Sequence, residues 1–135
     1  MRKRFVVVAV FLVLFATLIY LQYGRDVSVV NSNLSLSGEF YEQRLTIVAN
    51  KLFITDKEQF AKEMIERTID NSFRDMMFSY DIPGYPNRIE ISVYTNELSR
   101  KLFKKNFTVF FESDMDYNYN IKDKPEHLRL RIEYN

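Results

Sequence analysis

Residues 5–23 read FVVVAVFLVLFATLIYLQY and contain no charged side chain. An α-helix rises about 1.5 Å per residue, so it needs about 20 apolar residues to cross a hydrocarbon core of about 30 Å. This run is just long enough to do so. It therefore predicts a membrane helix near the start of the chain, and that helix decides where everything after residue 24 lies.

Two interpretations of the run compete: a secretory signal that is cleaved off, and a signal anchor that stays. A cleavable signal ends in small residues at positions −3 and −1 of its cleavage site. Here the side chains stay bulky up to Tyr23, and cleavage after Gly24 would place Gln22 at −3. The absence of cysteine excludes lipoprotein-type acylation. We therefore expect residues 1–24 to be a basic start followed by an uncleaved transmembrane helix.

The flanks of the run predict its orientation. Three basic residues (Arg2, Lys3 and Arg4) precede it, whereas Arg25 is followed by no further Lys or Arg until Arg44. Positively charged flanks stay in the cytoplasm, and tyrosines such as Tyr20 and Tyr23 favour the headgroup region. We expect a single-pass protein of the cell membrane that contacts the lipid bilayer through residues 5–23. Its N-terminus would be cytoplasmic and its C-terminal domain outside.

The composition of the remaining 110 or so residues suits one small domain. After Arg25 there are 15 basic and 18 acidic residues, a net charge of −3, which gives no indication of a nucleic-acid partner. Without cysteine the domain has no disulfides, and nine Phe and seven Tyr supply apolar mass for a core. Richness in Lys, Asn, Ile, Phe and Tyr without Trp is typical of AT-rich bacterial genomes.

Residues 25–38 are rich in Asn and Ser and show no sustained hydrophobic period, so we expect a spacer that lifts the domain off the membrane. The spacer could include a short extended piece at residues 27–30. We expect the folded domain to occupy residues 39–135. Its first element is predicted as a strand at residues 43–49, where Leu45, Ile47 and Ala49 alternate with a second set of residues (Thr46, Val48 and Asn50), although a helical stripe also fits.

The clearest element of the domain begins at Thr55. Thr55 and Glu58 match a capping box, with Thr55 as the N-cap. Apolar residues then recur at helical spacing as far as Phe73, which predicts an amphipathic helix that ends near Asn71 and lies on a core. A short strand is predicted at residues 76–80, with a last helical turn as the alternative. Two prolines and Gly84 predict a turn at residues 81–87.

Three more strands are predicted, at residues 89–94, 107–112 and 128–134, with a short helix within residues 95–105. A polar loop joins the last two strands, which we expect to be antiparallel neighbours. The predicted fold class is therefore α+β. An N-terminal transmembrane helix precedes a small, mainly antiparallel sheet with one main amphipathic helix packed on one face.

Residues 114–120 resemble the start of a calcium loop, with oxygen ligands at alternate positions. The resemblance stops there, because the glycine and glutamate of an EF-hand are replaced by Tyr119 and Pro125. A solvated loop is favoured, and we predict no metal and no cofactor. His127 is the single histidine, and no Gly-x-Ser-x-Gly motif or phosphate-cradling loop occurs. The sequence therefore predicts no catalytic residues, and we expect the protein not to be an enzyme.

Two groups of residues are candidates for partner binding. The turn around Tyr80 and Tyr85 fits a rigid aromatic recognition loop, with tyrosines packed on prolines as the simpler interpretation. The second group consists of basic side chains that could contact lipid headgroups or an anionic wall polymer, with a solvated helix face as the simpler interpretation. Its members are Arg100, Lys101, Lys104 and Lys105.

We expect a membrane-anchored extracytoplasmic interaction module that binds a protein partner from the envelope or the extracellular space, through its helix or a sheet edge. A secreted or anchored small-ligand binder or enzyme is the alternative. That alternative requires a pocket lined by convergent polar groups with perturbed pKa values.

Overall fold

A computed structural model describes residues 1–38, 40–80, 84–113, 119–123 and 125–134, with only the backbone of His127. Helix α1 (Arg2–Tyr23) comes first and is followed by strands β1 (Ser28–Ser37) and β2 (Phe40–Val48) and by helix α2 (Lys57–Asp70). Strand β3 (Arg88–Tyr94), helix α3 (Glu97–Lys101) and strand β4 (Phe107–Glu112) come next. A 3₁₀ turn (Pro125–His127) and strand β5 (Arg129–Tyr134) complete the described elements.

The five strands form one mixed sheet in the order β1-β2-β3-β4-β5. Strands β2 and β3 are parallel, and the other three pairings are antiparallel, including the predicted pairing of β4 with β5. Parallel neighbours need a long crossover connection, and α2 lies within it. The fold is therefore α+β, with a mixed sheet in which three of the four described pairings are antiparallel, in keeping with the expectation of a mainly antiparallel sheet.

One face of the sheet and one face of α2 form the core. Ile89, Ile91 and Val93 of the central strand β3 are fully buried, as their alternation predicts. On α2 the ring of Phe60 meets that of Phe107 edge to face, at 6.2 Å between centroids. Asp56 caps α2 by accepting a hydrogen bond from the Gln59 amide at 3.0 Å, so the predicted cap at Thr55 was one residue early.

The predicted spacer at residues 25–38 is wrong, because most of it is strand β1. Only residues 24–27 separate α1 from this strand. Strand β1 pairs along β2 from Ser28 to Ser37, with a bulge between Val29 and Asn31. The Asn and Ser side chains of an edge strand remain exposed to solvent, which explains why the segment lacks the apolar alternation expected of a strand.

The strand predicted at residues 76–80 is also wrong, since this stretch pairs with no other strand. Asn71, in the left-handed conformation that ends α2, hydrogen-bonds both the backbone N–H and the C=O of Phe78 at 2.7 Å. The rings of Phe73 and Phe78 pack edge to face at 5.9 Å. Local side-chain bonds and aromatic packing therefore replace a strand ladder here.

The opposite face of the sheet is not covered by α2 and carries alternating charges. Glu42 is nearly buried and pairs with Arg88 at 2.7 Å and with Arg44 at 3.2 Å. Glu112 pairs with Arg88 at 2.6 Å and with Arg131 at 3.3 Å. The Phe110 ring lies under both Arg88 and Arg131. Ion pairs that cross the strands thus occupy this face.

Candidate functional site

The end of α1 is attached to the loop after β2 by the side chain of Gln22, which is only 6% exposed. Its amide nitrogen donates to the carbonyl of Phe53 at 2.8 Å, and its amide oxygen accepts from the N–H groups of Leu52 and Phe53 at 2.9 and 3.2 Å. A primary amide has a donor and an acceptor side, so it completes the hydrogen bonds of this loop. We call these contacts the Gln22 clamp.

Further contacts surround the Gln22 clamp. The Lys51 ammonium donates to the Gln22 carbonyl at 3.1 Å and lies 5.6 Å from the centre of the Tyr23 ring. Arg67 of α2 binds both carboxylate oxygens of Asp26 at 2.8 and 3.1 Å. These hydrogen bonds lower the pKa of Asp26. Helix α1 is therefore joined to the domain by side-chain contacts as well as by the chain.

The end of the sheet that α1 contacts is the proximal end, and the opposite one is the distal end. Val48 at the end of β2 and Tyr94 at the end of β3 lie side by side, and Phe107 at the start of β4 pairs with Val93. The loop that holds Gln22 follows β2 directly. The β1–β2 hairpin turn and the start of β3 therefore lie at the distal end.

Strand β1 is an edge of the sheet, and its outer side faces no other strand in the described part of the chain. The Ala49 N–H donates to the carbonyl of Tyr94 at the end of β3, so the N–H groups of every second β2 residue point to β3 and those of the residues between them point to β1. Arg44 and Glu42 belong to the second set, and they pair with Asn33 and Ser35 of β1. The backbone groups of Asn33 and Ser35 therefore point toward β2, and those of the residues on either side of them point away from it. The backbone groups that point outward from β1 are those of Ser32, Leu34 and Leu36.

Val29 tests this assignment, because its N–H also points away from β2. It donates to the Asp75 carboxylate, at 3.1 Å from the nearer oxygen. Asp75 thus satisfies the outward backbone at the start of β1. Further along, Leu34 and Leu36 are 44% and 66% exposed, and the strand has no charged residue. Natural edge strands commonly carry charges or prolines that prevent pairing with another chain, so the free part of β1 is an open edge.

The other edge strand, β5, differs in this respect. Its six residues include Arg129, Arg131 and Glu133, and Arg131 contacts Glu112 and Glu133. Charged side chains on an edge hinder the approach of another strand. Of the two edges in the described sheet, β1 therefore offers the more accessible backbone for pairing.

Tyr80 and Tyr85 lie toward the distal end of the sheet and pack on each other, with ring centroids 4.6 Å apart. The Tyr80 hydroxyl donates toward Gln43 and the Thr68 carbonyl, at 2.9 and 3.1 Å. Burial raises the pKa of this phenol. The Lys122 ammonium lies 5.8 Å from the centre of the Tyr85 ring. The hydroxyl of Tyr80 therefore points into the fold, whereas partner binding by the two tyrosines stays a prediction.

The four basic candidates lie at the proximal end, in α3 and in the turn after it. Arg100 pairs with Glu97 within α3, and this pairing raises the arginine pKa. Lys101 and Lys104 are exposed and Lys105 is half-buried. The structure thus places the tyrosine pair and the basic group at opposite ends of the sheet and brings the two sets together nowhere in its described part.

Two depressions lie near the proximal end of the domain. A small cleft of 160 Å³ lies between Gln22 and Glu63, below the 300 Å³ or so of a usual ligand pocket. A wider, shallow depression of 360 Å³ lies between Val30, Tyr94 and Phe103, and its lining has no carboxylate or histidine. No group of three His, Cys, Asp or Glu among the described residues could hold a metal. Most of the calcium-like segment, residues 114–118, lies outside the described residues.

Helix α1 is long and apolar enough to cross a membrane by length and composition, and nearly all of its side chains are exposed. Sequence reasoning found this helix but missed the open edge of β1 and the Gln22 clamp. The alternation of Leu34 and Leu36 with serines was the available signal for β1. Comparisons with protein-family models, curated proteins and solved structures find no match to this chain.

Proposed function

We propose that the chain is a single-pass membrane protein in which α1 spans the bilayer and the α+β domain lies outside the cytoplasm. The exposed apolar side chains of α1 support this, since a water-soluble protein rarely exposes such a large apolar surface. Arg2, Lys3 and Arg4 before the span favour a cytoplasmic N-terminus. The Gln22 clamp then holds the domain directly at the outer face of the membrane that α1 spans.

The domain, in this proposal, is an interaction module that binds an extended segment of a partner protein by adding it as a strand beside β1. The outward backbone of Ser32, Leu34 and Leu36 carries the proposal, because it presents donors and acceptors that face no strand among the described residues. Main-chain hydrogen bonds supply affinity in strand addition, and alternate side-chain contacts supply specificity. Leu34 and Leu36 would provide apolar contacts on one face of the added strand.

The rigid attachment of the domain to α1 supports the proposal that the partner lies in the same cell envelope. Because β1 starts four residues after Gly24, and α1 is clamped to the loop after β2, the open edge keeps a fixed orientation relative to the anchor. A fixed orientation lowers the ordering cost of binding a partner that is itself held at the membrane. This geometry favours a membrane or envelope protein over a small ligand.

The absence of cysteine allows a direct test, since an introduced cysteine is then the only thiol in the chain. A photocrosslinker is coupled to the single thiol of the full-length protein in its native membranes, either in the Ser35→Cys variant on β1 or in the Glu133→Cys variant on β5. We expect an adduct with a protein at position 35 and none at position 133. Adding Leu34→Pro, which removes an outward N–H, or Leu34→Lys, which places a charge on the edge, should abolish the adduct.

Thermal unfolding of each variant checks that the sheet remains intact. A photocrosslinked adduct of twice the mass of the chain at position 35 would identify the partner as a second copy. An adduct that forms equally at both edges, or that persists in folded Leu34→Pro and Leu34→Lys proteins, would contradict strand addition at β1.

A further inference from the structure

A group of exposed apolar side chains lies at the proximal end of the domain, outside the core. Two of them belong to the loop that holds Gln22, and three belong to α3 and the turn after it. They are Leu52, Phe53, Leu98, Leu102 and Phe103, which are 39%, 56%, 67%, 55% and 88% exposed. We call this group the proximal rim. Isolated exposed apolar residues are common, but a group of five beside a membrane helix indicates a surface that binds another molecule or the lipid.

Hydrogen bonds connect one part of the rim to α1 and place the other part beside it in the fold. Leu52 and Phe53 bond the Gln22 side chain through their backbone, so they lie at the level of the last turn of α1. The Lys51 N–H donates to the carbonyl of Thr95 at 3.0 Å, and α3 begins two residues later. The Lys51–Thr95 bond thus places the start of α3 beside the loop that is bonded to the end of α1.

Phe103 has no role in the core that would explain its conformation. Its ring is 88% exposed, and its φ of 56° lies in the left-handed region, which costs a bulky residue about 1 kcal/mol or more. Its N–H closes the end of α3 on the carbonyl of Arg100 at 3.0 Å. The fold thus presents an aromatic ring at the tip of this turn, and asparagine or glycine would adopt the same backbone conformation with less strain.

Basic side chains accompany the apolar ones. Lys101 and Lys104 are exposed on either side of Leu102 and Phe103, and Lys51 lies over the Tyr23 ring. Apolar side chains flanked by lysines are typical of surfaces that enter the headgroup region of anionic membranes. Within α3 the acidic Glu97 is paired with Arg100, so the lysines beside the rim leave a local positive charge on a domain that is slightly acidic as a whole.

We propose that the proximal rim is a second membrane contact, in which Leu52, Phe53, Leu98, Leu102 and Phe103 enter the headgroup region and Lys101 and Lys104 bind anionic lipid headgroups. This inference rests on the proposed function, since the rim is at headgroup depth only if α1 spans the bilayer. The sheet would then be held at two points, and its open edge would keep a set height and tilt above the lipid.

The test uses the full chain in vesicles of phosphatidylcholine, with or without phosphatidylglycerol. Leu98→Cys, labelled with an environment-sensitive fluorophore, reports the rim, and Ser37→Cys reports the distal end as a matched control. We expect lipids with a quencher on the headgroup to quench the probe at position 98 and not that at position 37. Lys101→Gln with Lys104→Gln should weaken the contact with anionic vesicles about fivefold for each lysine.

Two readouts separate this inference from the proposed span. Flotation with the vesicles tests the anchor, and quenching at position 98 tests the rim. A protein that floats while its probe at position 98 stays in water would overturn the rim contact and leave the anchor standing. A protein that does not float would contradict the span itself. Phe103→Asn supplies a variant that relieves backbone strain: it should unfold no earlier than the parent chain and yet show weaker quenching.

Discussion

Replacing Gln22 with leucine tests whether α1 and the domain form one unit. The change removes three hydrogen bonds to Leu52 and Phe53, each of which contributes about 1 kcal/mol. A buried leucine recovers about 1 kcal/mol through its apolar surface, so the free energy of unfolding should fall by about 2 kcal/mol. For a domain of about 100 residues this lowers the Tm by roughly 8 to 16 °C.

The assay is thermal unfolding of the full chain in detergent micelles, together with amide hydrogen exchange at Leu52 and Phe53. Thr17→Val is the control, because the Thr17 hydroxyl bonds only within α1, to the carbonyl of Val13 at 2.8 Å. We expect Thr17→Val to leave the domain's Tm unchanged and Gln22→Leu to lower it and to speed exchange at both amides. If Gln22→Leu unfolds at the temperature of the control and both amides stay protected, the Gln22 clamp does not support the domain.

Three further changes test other parts of the fold. Asp26→Asn should destabilise the domain at neutral pH, and the difference in stability from the parent chain should vanish as the pH falls below about 4. Because Arg67 lowers the pKa of Asp26 in the folded state, the stability that this carboxylate contributes is present above its unfolded pKa and is lost in acid. Urea titrations at several pH values measure this difference. Asn71→Gly keeps the left-handed backbone but loses both bonds to Phe78, and Asn71→Ala adds backbone strain, so Asn71→Ala should be the less stable of the two by about 1 kcal/mol in urea unfolding. Ile91→Ala in the central strand should cost about 2 to 5 kcal/mol, measured in the same way, and equal stability would mean that β3 is not the centre of the core.

The elements that the sequence predicted best are those whose pattern is set by one buried face. Ile89, Ile91 and Val93 alternate because β3 has its core on one side, and the apolar stripe of α2 has the same origin. Local chemistry also marked the end of α2 at Asn71. Such signals lie within a few residues of one another, so a single sequence contains them.

The missed features depend on contacts between distant parts of the chain. Strand β1 is stabilised by pairing with β2, and its exposed Asn and Ser side chains resemble those of a linker. Gln22 looks like the polar end of an apolar run until Leu52 and Phe53, some 30 residues away, supply its partners. The parallel pairing of β2 with β3 likewise requires the crossover through α2 to be known.

The central claim is that α1 spans the membrane and holds the domain on its outer side. Lys3→Cys, before the span, and Ser37→Cys, at the distal end of the domain, provide matched single thiols for a membrane-impermeant maleimide. We expect the reagent to label position 37 in intact cells and position 3 only after the membrane is opened. Labelling of position 3 alone in intact cells, or recovery of a soluble chain that begins after Gly24, would contradict the account.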